Sequence, residues 1–193
     1  MKGVEKAIEI ELRGLLTEDT YSKLKNFLEQ NGKHIKSFNR EMYLFRDYLG
    51  YSEDFVGRKL DIRLRNTDGD CEIMLKEDVG GAREEVALKL VDNDLKKAKR
   101  IMRGLGIKEA VWMQRNKEIY EYKGINFDLT RCPPSDILYF EAELNVSNPN
   151  EVQEATERIK AVAKEISLEI LDDEATRVLI DDLDKRANKV VEI

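Results

Sequence analysis

Glu9, Glu11 and Arg13 stand two residues apart, with Ile8, Ile10 and Leu12 on the alternate positions. A period of two sends these two sets to opposite faces of a strand, one oily and one ionic. Carboxylates paired at this spacing suit hard divalent cations such as Mg²⁺ or Mn²⁺, which take oxygen ligands and keep some of their water. A half-exposed antiparallel strand facing water has the same pattern. Repetition elsewhere in the chain has to separate the two readings.

The pattern does repeat. Leu60, Ile62 and Leu64 alternate with Asp61, Arg63 and Arg65, and Cys71, Ile73 and Leu75 alternate with Glu72, Met74 and Lys76. Further on, Val86, Leu88 and Leu90 oppose Arg83, Glu85 and Lys89; Ile125, Phe127 and Leu129 oppose a face with Asp128; and Phe140, Ala142 and Leu144 oppose Glu141 and Glu143. Arg115 and Lys117 add a basic pair. Arginines and lysines on facing strands suit phosphate oxygens.

The elements that must carry these residues follow from period and punctuation. Thr17 caps a helix stopped at Asn31-Gly32, and a long strand runs from about Lys33 to Asp47. Gly50 to Gly57 reads as a loop, Asn66 to Asp70 as a hairpin turn, and Gly80-Gly81 as a turn into the strand Arg83 to Leu90. Asp92 to Arg103 is helical. Strands resume at Lys108 to Arg115, Glu118 to Tyr122 and Ile125 to Thr130, then at Leu138 to Leu144 after the rigid Cys132-Pro133-Pro134-Ser135 loop. Amphipathic helices span Asn148 to about Leu168 and Asp172 to Asn188.

About eight strands joined by short turns tend to close on themselves, because closure removes unpaired edges. Two arrangements are open: ionic faces outward around an oily interior, or ionic faces inward around a charged tunnel with helices on the oily exterior. The amphipathic helices need an apolar surface, which favours the second. So many enclosed charges are costly unless they pair or hold something. A lumen with both signs implies a metal complex of a polyphosphate.

Composition bounds the rest. The chain has 193 residues, enough for one well-packed domain, with helices from about residue 149 completing it. Its net charge of −6 argues against a general nucleic-acid surface. His34 is the single histidine and Cys71 and Cys132 have no metal-ligand spacing, which excludes the usual zinc and histidine-based chemistries. No apolar run approaches ~18 residues and no signal peptide is legible, so the expectation is a cytoplasmic protein without a membrane partner.

The ordered set of motifs resembles the CYTH family, or triphosphate tunnel metalloenzymes, over nearly the whole chain, residues 1–193. Its Glu-x-Glu-x-Lys strand is similar to Glu9, Glu11 and, with a change, Arg13; its Arg-x-Arg and following lysine resemble Arg63, Arg65 and Lys76. Its second Glu-x-Glu resembles Glu85, with Ala87 in the second place. Its basic pair resembles Arg115 and Lys117, and its Asp and last Glu-x-Glu resemble Asp128, Glu141 and Glu143.

That resemblance implies an α+β fold: a closed or nearly closed antiparallel eight-stranded β-barrel with a charged lumen and helices packed outside. It implies a Mg²⁺- or Mn²⁺-dependent triphosphatase in which Glu9, Glu11, Glu85, Asp128, Glu141 and Glu143 hold metal. Arg63, Arg65, Lys76, Lys89, Arg115 and Lys117 would hold phosphates, with Glu9, Glu11 and Arg13 as the catalytic group. The partner is a triphosphate-containing small molecule, and the assembly a monomer or homodimer. Two alternatives stay open: a class IV adenylyl cyclase, and a non-catalytic triphosphate- or polyphosphate-binding module. Arg13 keeps a positive charge but cannot act as a base, and Ala87 removes a carboxylate.

Overall fold

A computed structural model of the chain describes residues 8–46, 48, 52, 59–79 and 82–193. The expected loop at Gly50 to Gly57, Ser52 excepted, the turn at Gly80-Gly81 and the expected strand end at Asp47 lie outside the described residues. The strands are β1 (Ile8–Leu16), β2 (Lys33–Phe45), β3 (Leu60–Thr67), β4 (Asp70–Val79), β5 (Ala82–Lys89), β6 (Glu109–Tyr122), β7 (Ile125–Arg131), β8 (Leu138–Val146) and β9 (Lys189–Glu192). Four helices accompany them: α1 (Glu18–Asn31), α2 (Leu95–Gly104), α3 (Val152–Glu165) and α4 (Asp173–Arg186).

All strand pairs are antiparallel. In the order β2-β3-β4-β5-β1-β8-β7-β6 they form a ring that a β2–β6 pairing closes, and β9 adds to β6. The ring is not uniform: β1 meets β8 along its whole length, from Ile8↔Val146 to Leu16↔Leu138, but meets β5 only through Ile8↔Glu84 and Glu9↔Arg83. Two local devices set the tight β3–β4 and β6–β7 hairpins. Asp68 and Gly69 both have positive φ, as do Lys123 and Gly124, so each pair supplies the left-handed backbone of a two-residue turn.

The oily strand faces point outward, as the helices required. Ile8, Ile10, Phe127, Leu129 and Phe140 pack with Leu24 and Leu28 of α1 and Ile159 of α3 in one cluster. Tyr43, Phe45 and Leu64 pack with Ala98 and Met102 of α2 in a second. Leu179 and Leu183 of α4 pack with Cys132, Ile137 and Tyr139 in a third. Each of the leucine, isoleucine, phenylalanine and methionine side chains contributes about 1.5–3 kcal/mol on burial. Helix starts follow their capping residues: the Thr17 and Asp172 side chains accept from the Thr20 and Ala175 amides. Gly14 lets the chain cross β1 closely, since a Cβ there would overlap the Glu169 carbonyl and the Phe140 ring.

Several elements differ from expectation. Lys108 to Arg115 and Glu118 to Tyr122 are one continuous strand, because β2 pairs with β6 from Lys33↔Glu121 to Phe45↔Ala110 without a break there. The segment after Asn148 opens as a 3-10 turn, Pro149–Glu151, before α3. β9 is an unexpected strand. The oily face of β5 is not covered among the described residues: Val86 and Leu88 remain 54% and 67% exposed. Among those residues no helix is long and apolar enough to cross a membrane, which says nothing of strands.

Candidate functional site

Alternation places the ionic residues of seven ring strands on one concave surface, which encloses a cavity of about 510 Å³. From β1 come Glu9, Glu11 and Arg13; from β3 Arg63 and Arg65; from β4 Lys76; from β5 Glu85. β6 supplies Arg115 and Lys117, β7 Asp128, and β8 Glu141 and Glu143. Lys89, the remaining expected phosphate ligand, is exposed at the end of β5 opposite Glu72 and does not line the cavity.

The carboxylates fall into two overlapping groups. One oxygen each from Glu9, Glu11 and Glu143 lie within 4.8 Å of one another, and so do oxygens from Asp128, Glu141 and Glu143. Crowding of like charges away from water shows in their protonation. Burial, joined by the charges of Glu11, Glu141 and Glu9, pushes the Glu143 carboxyl up to about 9. Glu9 is pushed up to about 7, first by burial and then by Glu11 and Glu85, against the pull of Lys76. Asp128 is also raised by burial, despite Lys117. Glu141 goes the other way: burial would raise it, but Lys117 and Arg13 outweigh that and hold it well below the usual carboxylate range.

Most cations here are tied to these acids. Lys117 Nζ donates to Asp128 and Glu141, each at 2.7 Å, and Arg13 Nε donates to Glu141 at 2.9 Å while a terminal nitrogen of the same guanidinium meets Glu11. Lys76 Nζ is 2.8 Å from Glu9 and also pairs with Glu85. Arg63 pairs with the fully buried Asp61, and Arg65 with Glu72 at 2.7 Å. By contrast Glu143 has no cationic partner among the described residues. It is shared by both carboxylate groups, so a divalent cation between them would relieve its repulsion, and the donor set fits a hard metal ion.

A second wall is basic and was not foreseen from the sequence. Lys36 and Arg40 on β2, and Arg46 just after its end, also line the cavity. Arg40 is met by the Thr67 hydroxyl at 3.1 Å and the face of Phe38, and burial together with the Arg65 charge lowers its pKa. Arg115, 2% exposed, donates to the Gln114 carbonyl and to Asn188 Oδ1 and has no carboxylate partner among the described residues. Arg63 Nε is buried without an acceptor. A buried N–H left unsatisfied in this way costs about 1–3 kcal/mol.

The period-two signal on β2 was present, but Phe38, Met42 and Leu44 share the face with its cations and hid it. Tyr139, beside Glu141 on β8, was likewise passed over; burial pushes its phenol up to about 12. Residues of α4 and β9 line one end of the cavity, so α4 is not simply a helix on the outside.

Summed over the lining, ten basic and seven acidic side chains leave an excess of three positive charges within a chain of net charge −6. A positive, partly enclosed cavity in an acidic protein concentrates anions.

Residues 7–176 match the CYTH domain. No curated protein matches the sequence. Solved structures with a similar fold include a conserved hypothetical protein from Pyrococcus furiosus, with a TM-score of 0.67 at 19% identity over 84% of this chain and 94% of that one. Another is a "putative adenylate cyclase" from Vibrio parahaemolyticus, with a TM-score of 0.64 at 16% identity over 83% and 89%. A third is an adenylyl cyclase homologue from Hippeastrum described as having a dominant triphosphatase activity, with a TM-score of 0.54 at 16% identity over 85% and 89%.

Proposed function

The chain belongs to the CYTH family, and from that premise we propose that it is a divalent-metal-dependent hydrolase of triphosphates, inorganic or organic, that releases phosphate. The observation that carries this reading is the presence, in one cavity, of a crowded carboxylate set around Glu143 and of many cationic side chains, one of which, Arg63, keeps a buried Nε without an acceptor.

Glu9, Glu11 and Glu143 would hold the cation, with Asp128 and Glu141 beside them and Glu85 reaching the set through Lys76. Bound there, Mg²⁺ or Mn²⁺ supplies neutralisation of phosphate charge and a more acidic water. The chain's own residues do the rest. Arg63 offers its Nε, and Arg40 and Arg115, without carboxylate partners among the described residues, offer guanidinium edges to phosphate oxygens. Such fixed cations stabilise charge on the transferring group without reorganising. Arg13 stays charged, since Glu11 and Glu141 overcome burial and raise its pKa. It therefore orients those two carboxylates and takes no proton from water.

The similar fold described for a triphosphatase supports hydrolysis, and the "putative adenylate cyclase" keeps cyclisation of ATP as the second reading. In that reading a ribose hydroxyl replaces water in the same cavity. Incubating the protein with tripolyphosphate, thiamine triphosphate and ATP, with Mg²⁺ or Mn²⁺, separates these outcomes by product. Phosphate supports the hydrolase, whereas cyclic AMP with diphosphate would replace it with the cyclase. Binding of all three without any product would leave a binding module.

A further inference from the structure

Arg115 is held differently from most cations of the cavity. Arg13, Arg63, Arg65, Lys76 and Lys117 each meet a carboxylate directly, whereas Arg115 donates to the neutral Asn188 Oδ1 at 2.8 Å. A carboxylate stands one step further out: Asn188 Nδ2 donates to Asp184 Oδ1 at 2.6 Å. A guanidinium can only donate and an ionised carboxylate can only accept, so these two neighbours fix which way the Asn188 amide points.

The backbone around Asn188 makes this tie firm. Its own amide donates to the Leu183 carbonyl at 2.8 Å and so ends α4 without using the side chain. The next residue, Lys189, pairs with Trp112 of β6, while Leu183 and Ala187 before it are buried. A restraint is needed at this point of the wall, because Arg40 and Arg115 are direct cross-strand partners, and like charges so placed repel. A carboxylate at position 188 would hold Arg115 and cancel its charge; the amide holds it and leaves the charge uncompensated.

We infer that Asn188 is a positioning residue: backed by Asp184, it fixes the Arg115 guanidinium in the cavity wall and keeps its full charge for a phosphate oxygen. Fixed donors of this kind act on a transition state without reorganising. Asn188 and Asp184 both lie beyond residues 7–176, the segment that matches the CYTH domain, so the C-terminal part of the chain adds this device to the barrel.

This inference rests on the triphosphatase reading but can fail separately from it. The test measures kcat and KM for tripolyphosphate with Mn²⁺ in the wild type, Asn188→Ala, Asn188→Asp, Asp184→Ala, Arg115→Ala and the double variant Asn188→Ala/Arg115→Ala. Asn188→Ala should lower kcat/KM by ~10-fold, and Asp184→Ala, at an exposed position, should move it the same way by ~3-fold. Asn188→Asp keeps the tie but neutralises Arg115, so KM should rise by ~10-fold or more. With Arg115 already removed, Asn188→Ala should change kcat/KM by less than ~2-fold. Thermal melts verify folding, and should Arg115→Ala not fold, Arg115→Met, which keeps the bulk of the stem, takes its place. Wild-type kinetics in Asn188→Ala or Asp184→Ala, an unchanged KM in Asn188→Asp, or losses that simply multiply in the double variant would overturn the positioning role and leave the hydrolase standing. Should tripolyphosphate be bound but not turned over, the hydrolase reading fails, and the same comparisons of Kd by calorimetric titration decide the role of Asn188. Neither turnover nor binding would overturn the two together.

Discussion

Glu141 and Glu143 sit two residues apart on the same strand face, yet their environments give them opposite properties. Glu141 is the shared counter-ion of Lys117 and Arg13, and removing its charge strands two enclosed cations. Glu141→Gln should therefore abolish turnover and also lower stability, by roughly 3–5 kcal/mol as for other broken buried pairs; kinetic assay and denaturant unfolding check the two effects. Glu143 is different, being crowded by other carboxylates with no ion-pair partner among the described residues. Glu143→Gln should raise the stability of the metal-free protein at pH 8 by on the order of 1–3 kcal/mol while abolishing stabilisation by Mn²⁺. A lower melting temperature for metal-free Glu143→Gln would remove the metal-holding role proposed for this residue. The sequence displayed both acids but not this difference, which arises from cross-strand neighbours.

Protonation of the same residues sets a pH dependence. In the unfolded chain Glu143 ionises near 4.5, whereas in the folded protein it holds its proton up to about 9; Glu9 does so up to about 7. Between these limits the folded state binds the extra protons. Their contribution to stability is complete below pH ~4.5 and is lost as pH rises through about 7 and about 9. The metal-free melting temperature should fall over that interval. Apparent cation affinity should rise over it, because the cation displaces the same protons. Calorimetric melts with and without Mn²⁺ at pH 6 and pH 9 measure both.

Among the elements, β1 does the most positioning work. It carries Glu9, Glu11 and Arg13 inward, and its long pairing with β8 fixes them against Glu143 and Glu141: Glu11↔Glu143 and Arg13↔Glu141 are direct partners. Register is held partly by the close crossing at Gly14, where Leu171 N donates to the Arg13 carbonyl at 2.8 Å. Gly14→Ala should cost about 1–3 kcal/mol through overpacking against Phe140 and the Glu169 carbonyl, seen as a lowered unfolding midpoint. A midpoint at or above that of the wild type would show that the crossing tolerates the added methyl. β1 was readable because its alternation is strict. β2 was not, since its lumen face mixes Lys36 and Arg40 with Phe38, Met42 and Leu44, and a face that is mostly apolar gives a period-two pattern no single sign. The continuity of β6 was hidden in the same way, because pairing with β2 carries the strand through a polar stretch at Gln114 to Glu118 that looks like a break in isolation.

At the scale of the whole molecule, the inward orientation of charge follows from where the helices must lie. Helices α1, α2 and α3 have apolar faces that only the oily strand faces can cover, so the ionic faces are left to the interior. That much was legible from alternation and amphipathicity. The end of the cavity was not, because nothing in the sequence of α4 says that Leu179 and Leu183 serve both a core cluster and the cavity wall. The proposed function requires this interior to accommodate a triphosphate together with a divalent cation and to cleave it. Phosphorus NMR of tripolyphosphate incubated with the protein tests it most directly, with Mg²⁺ present or chelated and with the Glu143→Gln variant alongside. Phosphate and diphosphate signals should grow only with wild-type protein and cation together. Cleavage that persists undiminished under chelation or in Glu143→Gln, or a substrate signal that neither broadens nor decays under any condition, would contradict it.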